Sequence, residues 1–171
     1  EQLEIPDLQR VFMNCSAITQ TCTSYFDQFT EQGQYEAFYF VRDNETNPAK
    51  TVNYSRELIE QQGVFSLMGP VSSASRYAMA EIADELKTPM FYGIDYEGRH
   101  YSRYLVCYST IPEHSIEPVV PYLITTVGNR FYIFGYDYIW PHRMAKRIIE
   151  SVAQYNGTVT NTEFTGFNTS D

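Results

Sequence analysis

LMGPVSSASRYAM, residues 67–79, turns an apolar run into a helix. Leu67 and Met68 finish the run VFSLMG (64–69), and Gly69 and Pro70 break it. Two serines follow. Ala74, Ala78, Ile82 and Leu86 then recur every fourth position. That spacing predicts a buried strand over 64–69 and a helix from about Ser73, with those four residues on one face. Strand, break and helix at this length are the first parts of a βαβ unit.

The same alternation extends in both directions. Strands are expected over 10–18, 35–43, 88–94, 104–109, 130–138 and 158–164. Helices are expected over 22–32, over 48–62 with Pro48 in its first turn, over 115–128, and from Pro141 through Gln154. Val52, Leu58 and Ile59 are the inward residues of the second of these helices. Ile116, Val119, Val120, Leu123, Ile124 and Val127 supply the helical period of the third, which Pro121 should kink. Ala145, Ile148, Ile149 and Val152 face inward from the last. The fold class that follows is α/β with a mainly parallel sheet. A boundary is expected near 112–121, where the proline-bearing helix can leave one sheet for another.

A net charge of −9 and the lack of a basic stripe argue against nucleic acid as a partner. No apolar run approaches the ~18 residues of a membrane span. The first ten residues do not read as a signal peptide and suit a mature end left by cleavage. Aromatic residues make up 16% of the chain, mostly Tyr, which serves either a binding surface or a tyrosine-rich core. Three cysteines fit no common zinc spacing. Cys15 and Cys22 suit a short-loop disulfide or reduced thiols, and Cys107 reads as a buried thiol. Asn14, Asn44, Asn53, Asn156 and Asn168 each begin an N-x-Ser/Thr sequon. Five sequons among eight asparagines point to a glycosylated secretory protein, with Asn44 and Asn53 as the expected acceptors, or to chance in a Thr-rich chain.

His100, His114 and His142 form no metal-binding pattern, and neither a G-x-S-x-G elbow nor a P-loop occurs. Asp95 and Asp137 lie at strand ends, where α/β acids sit, and are read as loop caps; Glu97 suits a turn beside Arg99. No cofactor and no catalysis are expected. In parallel α/β sheets, ligands bind beyond the carboxyl ends of strands, and residues 69–73 are such an end. Gly69 permits a close turn, Ser72 and Ser73 offer hydroxyls, and the first helical amides point outward. The corner suits a carboxylate, an amide oxygen or another small polar group. It equally suits a plain serine N-cap.

Four stretches together resemble the type I periplasmic binding proteins, nearest to the branch that binds urea and short-chain amides. They are RDNETNPAKTVNYSRELIEQQGVFSLMG, LMGPVSSASRYAM, MFYGIDYEGRHYSRYLVCYSTIPEHS and EPVVPYLITTVGNRFYIFGYDYIWPHRMAKRII. The resemblance covers about residues 35–171 and implies two Rossmann-like lobes that close on a ligand. It implies a first α/β lobe over 1–114, then a crossover helix and the start of a second lobe over 115–171. The family runs longer than this chain, so the second lobe is expected only in part. By the same resemblance, Ser72 and Ser73 hold the ligand's polar head, Tyr92 and Ile94 line the first lobe, and Tyr138 and Trp140 close from the second.

The function implied is extracytoplasmic binding of a small polar molecule resembling an amide, urea or amino acid. The partner is a membrane transporter or the signalling domain of a receptor; self-association stays open. Val71 and Ile94 stand where the amide binders place polar or aromatic groups. They support the alternative of a ligand-free structural or assembly protein that keeps the fold.

Overall fold

The computed structural model describes residues 39–167. The expected strand 10–18, helix 22–32 and Cys15–Cys22 bridge lie outside the described residues, as do Asn14 and Asn168. The described residues fall into two compact units. One holds the described residues through Ile94 together with Tyr101–Tyr108; the other holds Asp95–His100 and the residues from Ser109 onward.

In the first unit, helix α1 (Pro48–Arg56) starts at Asn47, whose side chain accepts from the amides of Ala49 and Lys50 at 2.9 and 3.2 Å. Pro48, with no N–H to leave unpaired, takes the first helical position. The helix continues as a π turn over Glu57–Gln61. Strands β1 (Leu67–Met68), β2 (Met90–Tyr92) and β3 (Leu105–Cys107) form one parallel sheet in the order β1-β2-β3. Helix α2 (Ser73–Glu85) carries the chain from β1 to β2. Leu58, Val64, Leu67, Met79, Ile82, Ala83, Met90 and Tyr92 make the core.

Three expectations need correction here. Residues 39–43, the described end of the expected second strand, join no ladder among the described residues. Arg42 pairs instead with Glu57, its Nε donating to Oε1 at 3.1 Å. The buried side of α2 is not a single Ala74–Leu86 stripe. Ser73, Ser75, Arg76, Met79, Ala80, Ile82 and Ala83 are buried, while Ala74, Ala78 and Leu86 are half-buried. The helix packs against both α1 and the strands, so a wide arc is covered. Cys107 is half-buried rather than buried.

The second unit contains helix α3 (Pro112–Thr126), strand β4 (Arg130–Tyr136), helix α4 (Ile139–Gln154) and strand β5 (Thr158–Thr165). β4 and β5 pair in parallel as a separate sheet, from Arg130 opposite Thr158 to Tyr136 opposite Thr165. Ile116, Val120 and Val152 form its core with Ile124, Phe131, Met144, Ile148 and Val159 around them. Helix α3 passes through Pro118 and Pro121 without a break in assignment. Of its expected apolar stripe, Val119 and Val127 are exposed. Along β4 burial alternates strictly, which leaves Tyr132, Phe134 and Tyr136 on the open face. Helix α4 starts at Ile139, two residues before Pro141.

Asn44 also departs from expectation. Its side chain is buried, its Nδ2 donates to Thr51 Oγ1 at 2.7 Å, and its Oδ1 accepts from the Thr46 amide at 3.3 Å. A glycan on that nitrogen has no place in this packing. Asn53 and Asn156 are exposed.

Candidate functional site

β1 and β2 end side by side, and the corner after β1 is built in three steps. Gly69 has φ +96°, a value side chains rarely adopt, and its amide still reaches the Phe91 carbonyl at 3.1 Å. The chain turns through Pro70 and Val71. Ser72 then takes the N-cap position with extended backbone, its Oγ accepting from the Ser75 amide at 3.3 Å.

The cap role therefore belongs to Ser72. Ser73 is the first helical residue and is buried. Ser75 Oγ is also buried and has no hydrogen-bond partner among the described residues.

Tyr92, at the end of β2, is buried, and its hydroxyl donates to the Val71 carbonyl at 2.8 Å. The ring of Tyr92 therefore stands under the turn as a post. Behind it lies Arg76, fully buried, with its guanidinium carbon 5.0 Å from the Tyr92 ring centre and 4.7 Å from that of Tyr77.

Ile94 is half-buried just past the strand. Tyr108, beyond the end of β3, is exposed and lies so close to Gly93 that a Cβ there would come within 2.4 Å of its Oη. The structure thus brings Ser72, Ser73 and Tyr92 to one corner. The groups this corner turns outward are Val71 and Tyr108, with Ser72 and Ile94 half-covered.

Sequence reasoning missed Arg76 and Tyr108. Arg76 falls off the expected Ala74–Leu86 stripe, so the helical period carried no signal for its burial. Tyr108 lies one residue beyond the Tyr92–Cys107 pair, a register that only the folded sheet sets.

In the second unit, Tyr138 is the N-cap of α4 and Trp140 lies in its first turn, both half-buried. Tyr138 packs on Phe167 at 5.3 Å, and Phe167 stacks on Tyr136 at 5.0 Å. Phe167 is a further residue the strand pattern did not single out, because it follows β5 and carries no periodicity. Asp137 meets His142 Nε2 at 2.7 Å, and the His142 ring packs on Phe164 at 3.9 Å. Asp95 accepts from Ser109 Oγ at 2.6 Å, and hydrogen bonds from Ser109 and then Thr110 hold its carboxyl below the ordinary aspartate range. Both aspartates tie loops. Among the described residues no group of His, Cys, Asp or Glu could hold a metal ion. No described helix is long and apolar enough to cross a membrane.

A family model described as periplasmic binding protein matches residues 17–171. The fold is shared with solved solute-binding proteins at low identity. The leucine-binding protein LivK of Thermotoga maritima is 17% identical with a TM-score of 0.80 over 96% of this chain and 51% of its own. LivJ of Streptococcus pneumoniae, a branched-chain amino acid transporter substrate-binding protein in complex with isoleucine, is 15% identical with a TM-score of 0.84 over 95% and 51%. A solute-binding protein of an R. palustris ABC transporter, in complex with 4-hydroxybenzoate, is 18% identical with a TM-score of 0.83 over 95% and 48%. The chain spans about half the length of the structures it matches.

Proposed function

The chain belongs to the periplasmic binding protein family, and we propose that the protein carrying it is a non-catalytic, extracytoplasmic receptor for a small polar molecule. The observation that carries this is the corner at the ends of β1 and β2. A capped helix start and two serines stand there on a rigid tyrosine post, beyond the carboxyl ends of parallel strands. Ser72, Ser73 and the first amides of α2 are assigned to the ligand's polar head, whether carboxylate, amide or urea oxygen. Ile94 and Tyr108 supply apolar and aromatic contact on the same unit. In the other unit, Tyr138 and Trp140 offer aromatic surface at the start of α4, with Phe167 packed on Tyr138. The partner that receives the ligand signal or cargo is a membrane transporter or a receptor's signalling domain.

A second reading is a structural protein that keeps the fold without a ligand. It draws on the burial of Ser73 and Tyr92 and on the Tyr92 hydroxyl being held by Val71. Calorimetry with leucine, isoleucine, 4-hydroxybenzoate, acetamide and urea separates the two. Binding of any of these that weakens in Trp140→Ala, and by about 0.5–1.5 kcal/mol in Ser73→Ala, supports the receptor reading. Absence of heat from the whole panel favours the structural one.

A further inference from the structure

We propose that the crevice between α3 and α4 is a binding site of its own, for a small primary alkylammonium ion. It lies within the second unit and shares no residue with the corner at 69–73 or with Tyr138 and Trp140. Pro112, Ile116 and Glu117 of α3 line one side, and Arg147, Glu150, Ser151 and Gln154 of α4 line the other. The α4 residues recur at helical spacing, so one face of that helix supplies them. The space between is about 140 Å³, well beyond the ~10–15 Å³ that a single water needs. Pro112, Ile116 and Ser151 are buried and form its floor, while Glu117, Glu150 and Gln154 are exposed at its rim.

Two observations point to the ligand. The first is charge. Arg147 Nη2 donates to Glu113 Oε1 at 2.7 Å, and its Nη1 donates to Glu150 Oε2 at 2.9 Å. Glu117 Oε1 stands 3.6 Å from Nη2, too far for a hydrogen bond. One guanidinium thus faces three carboxylates, and the carboxylate of Glu117 stays open to another donor. Such a surplus attracts a cation and repels an anion.

The second is a hydroxyl. Ser151 is 6% exposed, and its Oγ has no hydrogen-bond partner among the described residues. A serine inside a helix can bond its hydroxyl to the carbonyl four residues back. Ser55 of α1 does so, its Oγ donating to the Thr51 carbonyl at 2.7 Å. Ser151 does not, and it lines the crevice instead. A buried hydroxyl without a partner costs stability until a ligand supplies one.

An alkylammonium ion matches each wall. Its three N–H groups donate and accept nothing. Ser151 Oγ, the Glu117 carboxylate and the Gln154 side-chain oxygen are acceptors for them, and Pro112 and Ile116 take the short alkyl chain. A metal ion does not fit, because among the described residues no group of His, Cys, Asp or Glu could hold one. Occupation bridges α3 and α4, so it stabilises the folded state.

Ethylammonium chloride is the probe, titrated into the whole chain with amide chemical shifts and thermal melts as readouts. Tetramethylammonium and potassium chlorides, which carry the charge without N–H donors, are the controls. Saturable shifts confined to residues 112–117 and 147–154 are expected, with a melting temperature that rises only for ethylammonium. Ser151→Ala removes a hydroxyl that holds nothing in the fold, so its melt without ligand should match or exceed that of the wild type. Its affinity for ethylammonium should fall about tenfold or more, the weight of a hydrogen bond to a charged group. Glu117→Gln leaves the hydrogen bonds of Arg147 in place and should weaken binding several-fold. An equal response to tetramethylammonium or potassium overturns the proposal, as does the absence of saturable shifts with ethylammonium. So does unchanged affinity in Ser151→Ala. If Ser151→Ala fails to fold, Glu117→Gln decides alone, and unchanged affinity there overturns the proposal as well.

Discussion

Tyr92 and Val71 are joined across 21 positions of sequence by one hydrogen bond, hydroxyl to carbonyl, at 2.8 Å. It ties the end of β2 to the turn that follows β1, so the corner at 69–73 is held by a bond between two neighbouring strand ends.

Removing that hydroxyl tests how far the turn depends on it. Tyr92→Phe keeps the ring and its contact with Arg76 but leaves the Val71 carbonyl without this donor. The expected loss is about 1 kcal/mol in a denaturant melt. Faster hydrogen exchange should be confined to the amides of 71–75. A change spread evenly over the unit would show that the bond does not act locally.

The serines of the corner should separate cleanly. Ser72→Ala removes the acceptor for the Ser75 amide and should lower stability by about 1 kcal/mol. Ser75→Ala removes a buried hydroxyl with no partner and should be neutral or stabilising, by up to about 1 kcal/mol. Chemical denaturation of the two variants side by side checks the sign, and equal losses in both would contradict the assignment of the cap.

Glu57 gives a pH dependence with a defined direction. Its hydrogen bond with Arg42 holds its carboxyl below the ordinary glutamate range, against an opposing effect of burial and with a weaker contribution from the charge of Arg42. A carboxyl depressed on folding stabilises the protein above its unfolded pKa. That contribution is lost as pH falls through the lower, folded value. Melting temperature measured from neutral pH into the acid range should therefore fall less steeply for Glu57→Gln than for the wild type. Parallel curves would exclude a role for this pair.

Gly157 sits where a side chain has no room. A Cβ there would lie 2.8 Å from Val152 Cγ1 and 3.1 Å from the Asn129 carbonyl oxygen, which accepts from the Thr158 amide at 2.7 Å. Val152 is buried in the core of its unit and has little freedom to yield. Gly157→Ala should destabilise by about 1–3 kcal/mol, as overpacking does. A crystal structure of a variant as stable as the wild type would have to show Val152 in a new rotamer.

The two kinds of periodicity in this chain were enough to place the strands and helices from Pro48 to Thr165. Apolar runs bounded by Gly and Pro, and helical periods opened at Pro48, near Ser73, near Ser115 and at Pro141, depend on interactions between residues a few positions apart, although the third and fourth helices begin earlier, at Pro112 and Ile139. For the same reason the sequence alone pointed to the α/β class and to the corner at 69–73. What it could not decide was which residues a second element covers. Arg76 carries no mark of burial in the sequence, yet the fold buries it fully with the rings of Tyr77 and Tyr92 against its guanidinium. Asn44 reads as an open sequon until Thr51 turns back on it. Ser72 and Ser73 are interchangeable in sequence and become cap and buried helical residue only when the turn takes its φ at Gly69. Each of these outcomes depends on a neighbour brought in by packing. Burial and the direction of a hydrogen bond belong to that three-dimensional surrounding, which local patterns do not encode.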